Sequence, residues 1–222
     1  MKRLLTFCML LICLIVSSSA YGQQKERMAA IDTEFGTMVI KLYNDTPAHR
    51  DNFIKQVKAG TYNGTLFHRV VPFFMAQGGN PISKNATPTQ GLSTDQCGTI
   101  PAEIRPNHYH KKGAIAAARL PDGTNPNRAS SACQFFIVSG YKHNDSQLDG
   151  LENANRKFTP FQRAYYKVKG GYPFLDGDYT VFAEIVEGFD VIDLIANVTA
   201  GKDGVTKDRP LTDIVMNVRM LK

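Results

Sequence analysis

Tryptophan is absent from the 222 residues, and cysteine is scarce, at four. No two cysteines are spaced Cys-x-x-Cys, so neither a zinc ribbon nor a thioredoxin-like redox site is supported. Blocks of positive charge are missing as well. Lys and Arg number 26 against 20 Asp and Glu, but they lie scattered without a block of five, and no nucleic-acid footprint follows. Ser130-Ser131 lacks a Gly-x-Ser-x-Gly setting, which argues against a hydrolase nucleophile. No internal repeat is visible. A content of 43% hydrophobic and 21% charged residues excludes disorder and a fibrous array. It leaves one globular domain or two small ones, with a core of normal size.

What is present begins with an address. Lys2-Arg3 precedes an apolar stretch from Leu4 to Val16, followed by Ser17-Ser18-Ser19-Ala20-Tyr21-Gly22. A basic start, an apolar middle and a small-residue exit describe a secretory signal peptide over residues 1–22. The apolar run is short of the roughly 20 residues a spanning helix needs. Cys8 follows Phe7 and Cys13 follows Ile12, so the small residues that precede a lipidated cysteine are missing. Cleavage after Gly22 is expected to leave an exported domain over residues 23–222, periplasmic in a bacterial cell, with charge 24 − 20 = +4 once Lys2 and Arg3 are gone. Of the cysteines, Cys97 and Cys133 remain. An oxidising compartment permits one bridge between them, while two separate buried thiols are the other reading; spacing leaves both open.

The chain then alternates. Residues 29–43 read as two short strands around Gly36, and Thr46-Pro47 opens a helix with Phe53, Ile54 and Val57 on one face, ended by Gly60. Strands are expected at 66–71 and 74–77, on either side of Pro72, and at 114–119, 134–139, 180–187 and 213–221. A second helix is expected at 189–198. Residues 80–112, rich in Pro, Gly, Asn, Thr and Ser, read as a long functional loop. The count is eight strands and two main helices, mainly β and spaced for a closed barrel or sandwich. Residues 141–171 break the strand rhythm. Thr159-Pro160-Phe161-Gln162 has capping-box spacing, and the segment reads as a mainly helical insertion, ending at Gly170-Gly171.

The chemistry concentrates in Phe67-His68-Arg69-Val70-Val71-Pro72-Phe73-Phe74-Met75-Ala76-Gln77-Gly78-Gly79. Strand alternation places Phe67, Arg69 and Val71 on one face. An arginine there is costly unless the face opens to solvent or a ligand, and a cation snorkelling at a barrel rim is the bland reading. His108-x-His110 reads as two loop histidines, since no cysteine or acidic pair completes a metal site; Asp32, Glu34 and Asp45 read as solvated.

This string resembles the signature of the cyclophilin-type peptidyl-prolyl cis-trans isomerases. Two further blocks are similar to theirs in the same order: Ser131-Ala132-Cys133-Gln134-Phe135-Phe136-Ile137, and Phe174 through Ile185 with Leu175-Asp176-Gly177 and Val181-Phe182. The resemblance runs from about Ala29 to Leu221, without the insertion. It implies a closed eight-stranded antiparallel β-barrel capped by two α-helices, with a substrate groove on one outer face. It also implies an isomerase that turns X–Pro bonds in exported polypeptides and assists their folding, with no cofactor, no metal and no covalent intermediate. The partners implied are unfolded or partly folded proline-containing chains; a monomer is the default expectation, independent of the resemblance. A non-catalytic module or holdase that grips proline segments is the alternative.

By the same resemblance Arg69 is the catalytic cation, Phe74, Met75, Phe136 and Leu175 line the proline pocket, and Gln77 clamps the peptide. His68, Gln134, Ala118, Phe174 and Tyr179 occupy other groove positions, and Arg119 stands where many members have an Asn whose backbone holds the peptide extended. Phe174 replaces a common Trp tied to cyclosporin binding, so sensitivity to that cyclic peptide is in doubt. Tyr179 replaces a common His, Phe73 a usual Gly and Cys133 a small polar residue. Because Cys97 lies in the loop that approaches the Cys133 turn in this fold, the resemblance favours the Cys97–Cys133 bridge, at the rim of a secondary pocket.

Overall fold

The computed structural model describes residues 25–222 apart from residues 93, 95 and 155. The expected signal peptide, residues 1–22, lies outside the described residues. Eight strands close a barrel: β1 (Met28–Thr33), β2 (Gly36–Leu42), β3 (Thr65–Val71), β4 (Met75–Gly78), β6 (Ala114–Ala117), β8 (Phe135–Val138), β9 (Val181–Glu187) and β10 (Val215–Met220). The order around the barrel is β1-β10-β3-β4-β8-β6-β9-β2, and every pairing is antiparallel. Closure leaves no unpaired edge. The remaining strands, β5 (Thr99–Ile100) and β7 (Ser130–Ser131), form a separate pair. That pair anchors the long loop of residues 80–112, and beside it Cys97 and Cys133 are joined by a disulfide with Cα atoms 5.7 Å apart.

Alternation along the strands turns Ile31, Ile40, Leu42, Ile115, Ile137 and Ile185 into one core. Two helices close onto it: α1 (Pro47–Lys58) adds Phe53 and Val57, and α4 (Phe189–Ala196) adds Val191, Ile192 and Ile195. Thr46 stands at the N-cap of α1 as expected, but its hydroxyl caps nothing and turns back to the Tyr43 carbonyl at 3.4 Å. The Glu103 carboxylate accepts the Ala48 and His49 N–H groups instead, at 3.2 and 3.0 Å, and takes His49 Nδ1 at 2.7 Å. A residue from the long loop therefore satisfies the open end of the helix.

One sequence expectation is corrected on β3. The β3–β4 register shifts between Phe67 and Arg69, so an extra residue, His68, interrupts the alternation. Phe67 and Val70 both enter the core, and Phe67 does not share a face with Arg69. Arg69 and Val71 point outward, where Val71 packs with Phe74. After the strand, Phe73 takes φ +61°, a left-handed conformation that explains why a glycine suits this turn. Gly79 is needed for space: at φ +85° a Cβ would sit 2.6 Å from the Cys133 carbonyl oxygen.

The insertion holds two helices, α2 (Asp145–Leu151) and α3 (Pro160–Val168). The Thr159/Gln162 capping box is present, and a second box, Asn144/Gln147, starts α2. Leu148, Phe158 and Tyr166 form a small core of their own with Tyr109 from the loop before β6.

Candidate active site

The outer wall of the barrel carries a second apolar cluster. Register assembles it. Reading across β3, β4, β8, β6 and β9, the Cα partners are Arg69↔Gln77, Gln77↔Phe136, Phe136↔Ala116 and Ala116↔Val181. Adjacent strands lie about 4.8 Å apart, so a cation, an amide and an aromatic ring stand in one row although 67 residues separate the first from the last. One step along, Val71↔Met75↔Val138 forms the next row. Met75, Phe136, Val138 and Val181 are buried there, with Phe74, Tyr172, Leu175 and Tyr179 partly buried over them.

Arg69 is tethered at one end and open at the other. Its Nε meets Asp208 Oδ2 at 3.3 Å, and 42% of its side chain is exposed. Among the described residues its two Nη nitrogens have no protein acceptor. Gln77 Nε2 donates to Gln134 Oε1 at 3.0 Å, and Gln134 is fixed by a bond from its N–H to Ser131 Oγ at 2.9 Å. His68 is buried, and its Nδ1 has no partner among the described residues. Burial pushes its imidazolium down to about 4, with the Arg69 and Arg209 charges adding to the effect. It is neutral at pH 7.

The pocket is built from rings. Phe136 lies parallel to His110, with centroids 6.0 Å apart, and meets Tyr179 edge-on at 5.6 Å. Phe74 stacks on Tyr172 at 4.2 Å, and Tyr172 contacts Phe174 at 5.0 Å. Phe174 and Leu175 sit in a 3-10 turn, Pro173–Leu175, and Phe174 is 41% exposed.

Ala118 is committed to the barrel: its N–H donates to the Gln134 carbonyl and its carbonyl accepts from Ser131. The N–H and carbonyl of Arg119 have no protein partner among the described residues, whereas its side chain is engaged through Nε and Nη1. That guanidinium donates to the Asp178 and Leu120 carbonyls at 2.8 and 2.9 Å and to Asp122 at 2.6 Å, and lies 4.5 Å over the Tyr179 ring. The Arg119 side chain thus braces Tyr179, and its backbone N–H and carbonyl are left without a protein partner among the described residues.

The structure brings Phe74, Met75, Phe136, Leu175 and Tyr179 into one apolar cluster, with Phe174 joined to it through Tyr172. Arg69 and Gln77 share a row with Phe136, Gln134 is hydrogen-bonded to Gln77, and Arg69, Gln77 and His68 line a neighbouring cleft with Leu92, Val205, Lys207 and Arg209. Sequence reasoning missed Tyr172, His110 and Asp208. Tyr172 adjoins Pro173-Phe174-Leu175 in the chain and was findable by position; Asp208 reaches Arg69 across 139 residues and left no local signal. His108 and His110 lie in a loop, as expected, and each has a carboxylate partner. His108 stacks on Tyr43 at 3.8 Å and meets Asp45 at 2.6 Å, while His110 is buried against Asp176 at 2.9 Å. Asp45 is therefore a partner to His108 and not simply solvated, and Asp32 likewise takes Thr37 and Arg219.

A closed eight-stranded barrel with this row of residues on its outer wall defines a cyclophilin-type architecture. The family model described as cyclophilin type peptidyl-prolyl cis-trans isomerase/CLD matches residues 28–219. A protein of Staphylococcus aureus (strain USA300) named for peptidyl-prolyl cis-trans isomerisation is 35% identical over 195 residues, 87% of this chain and 91% of that protein. A Staphylococcus haemolyticus protein of the same name is 33% identical over 87% of this chain and 90% of its own. The crystal structure of a Cryptosporidium parvum cyclophilin type isomerase superposes with a TM-score of 0.63 at 21% identity, covering 89% of this chain and 98% of that one. A second structure of that protein, determined in the presence of the dipeptide Ala-Pro, gives 0.61 at 21% identity, covering 88% and 99%. The chain belongs to the family of cyclophilin-type peptidyl-prolyl cis-trans isomerases.

Proposed function

We propose that Arg69 is the group that lowers the barrier to rotation, acting on X–Pro bonds of exported polypeptides. The observation that carries this is the row Arg69–Gln77–Phe136, in which a tethered guanidinium with open Nη donors shares a register row with an aromatic ring of the outer apolar cluster. Rotation about a peptide bond faces about 18–20 kcal/mol because the amide is conjugated, and the uncatalysed X–Pro step takes tens to hundreds of seconds. No bond to the enzyme is required. Twisting localises the lone pair on the prolyl nitrogen, and a fixed N–H donor interacts with that nitrogen more strongly in the twisted state than in either planar one.

Each group then has a task. Phe74, Met75, Phe136 and Leu175 grip the proline ring while the carbonyl side turns. Gln77, held by Gln134, orients the peptide, and the unused Arg119 backbone groups pair with it in extended form. Asp208 aims the Arg69 fork without consuming its Nη donors. An acceleration of about 10⁵ requires roughly 7 kcal/mol of preferential binding of the twisted state, which a charge-assisted bond in a partly desolvated groove supplies together with conformational restriction.

The test is the cis-to-trans relaxation of a short X–Pro peptide. Arg69→Ala is expected to lower kcat/KM by about 10²–10³-fold with the fold unchanged, and Arg69→Lys to recover only part of it, since a lysine lacks the planar fork. Full activity in Arg69→Ala would remove Arg69 from the mechanism. The export reading is supported by the pattern of residues 2–22 and by the Cys97–Cys133 bridge, which suits an oxidising compartment such as the periplasm.

A further inference from the structure

We infer that the 141–171 insertion is a brace that sets the position of the proline-pocket wall, with Tyr166 and Arg156 as its positioning residues. The inference rests on the reading of Phe174 and Leu175 as that wall. The wall segment, residues 172–179, belongs to no strand. Beyond the Tyr172 N–H at its start, its backbone donors pair locally: Leu175 N–H to Tyr172, Asp176 N–H to Pro173, Asp178 N–H to Leu175. Such a turn holds its shape but not its place, so its location against the barrel depends on long-range ties.

Arg119 and Arg128 hold the far end of the segment, at the Asp178 carbonyl and at Gly177 and Asp178; the ties next to Leu175 meet at Asp176. From the barrel side, the His110 N–H and Nδ1 reach its Oδ1 at 2.7 and 2.9 Å. From the insertion, the Tyr166 hydroxyl donates to Oδ2 at 2.6 Å. Arg156, also in the insertion, donates from Nε to the Asp176 carbonyl and from Nη2 to Asp178, both at 3.1 Å. Bonds to an ionised carboxylate that is largely shielded from water are the strong kind, and Asp176, directly after Leu175, has a side chain only 11% exposed.

A brace must itself be stiff. Tyr166 is fully buried, meeting Tyr109 at 5.4 Å and Phe158 at 5.8 Å, both edge-on. The root of the insertion is wedged: a Cβ on Gly171 would lie 2.5 Å from the His110 carbonyl oxygen and 2.6 Å from the Tyr166 ring. The same root leads straight into Tyr172, whose N–H donates to the His110 carbonyl at 2.7 Å and whose ring stacks on Phe74. The insertion and the pocket thus share one set of supports. An insertion serving only as a separate client-binding arm would have no use for these bonds.

Tyr166→Phe removes one oxygen and leaves the ring in its cluster; Arg156→Ala removes the second tie from a partly exposed site, without emptying a core position. The wall grips the proline ring alike in planar and twisted states, so loosening it should raise KM with kcat little changed. For a short X–Pro peptide, both variants are expected to raise KM about three- to tenfold with kcat held within about twofold. A variant that merely unfolds in part would lose kcat at constant KM, and that result overturns the inference. Leu175→Ala separates the two levels. If it raises KM while Tyr166→Phe and Arg156→Ala do not, the brace is wrong and the pocket stands. If Leu175→Ala leaves KM unchanged, the pocket reading itself fails, and the brace with it.

Discussion

His68 shows how a single side chain adjoining the site ties stability to pH. It is the extra residue of the β3 irregularity, buried, with a nitrogen left unpartnered. Burial holds its folded pKa at about 4, against about 6.5 in the unfolded chain. Between those values the unfolded state binds the proton and the folded state does not, so stability rises with pH through that window. The contribution is complete above pH 6.5 and is lost as pH falls toward 4, amounting to about 3 kcal/mol. His49 and His143 are shifted down by burial as well and act in the same direction. Urea midpoints should therefore fall between pH 7.5 and pH 5, and the fall should be smaller in His68→Gln. Equal midpoints at the two pH values would show that His68 is not held neutral.

At the scale of elements, the helix α1 is the clearest case of a local pattern completed from afar. Thr46-Pro47 marks its start correctly, yet the acceptor for its first N–H groups is Glu103, more than 50 residues later. The same carboxylate is the partner of the buried His49, whose proximity holds Glu103 below its ordinary value despite the opposing effect of burial. Glu103→Ala should therefore remove a helix cap and orphan a buried imidazole together, costing about 2 kcal/mol in urea unfolding. Glu103→Gln, which keeps one acceptor oxygen, should cost less. No loss in either variant would mean that water replaces the carboxylate at no cost. The long loop earns its order through three such attachments: the Glu103 cap, the β5–β7 pair and the Cys97–Cys133 bridge.

For the whole molecule, what was legible in the sequence divides along contact range. All eight barrel strands were readable because alternation and turn residues are local, whereas their number and spacing left barrel and sandwich open and only the family resemblance pointed to closure. The row of Arg69, Gln77 and Phe136 was not readable from periodicity; it emerges from register across three strands and came to notice only through family resemblance. The Glu103 cap, the Asp208 tether and the His110–Asp176 contact escaped because each joins residues far apart in the chain and leaves no short-range pattern. The irregularity at His68 is local, but an extra residue in a strand has no side-chain signature there. The two ends of the protein's life meet in its cysteines, which make export testable by arithmetic. Of four cysteines, Cys8 and Cys13 lie in the proposed signal, and Cys97 and Cys133 are bridged. A chain that is exported, cleaved after Gly22 and oxidised should show no free thiol under denaturation and a mass that starts at Gln23. An oxidised but uncleaved chain should show two thiols, and a chain kept in a reducing cytoplasm four, because glutathione and thioredoxin hold thiols reduced there. Counting thiols on protein from the native host, alongside its intact mass, distinguishes all three, and four thiols at full length would overturn the exported reading.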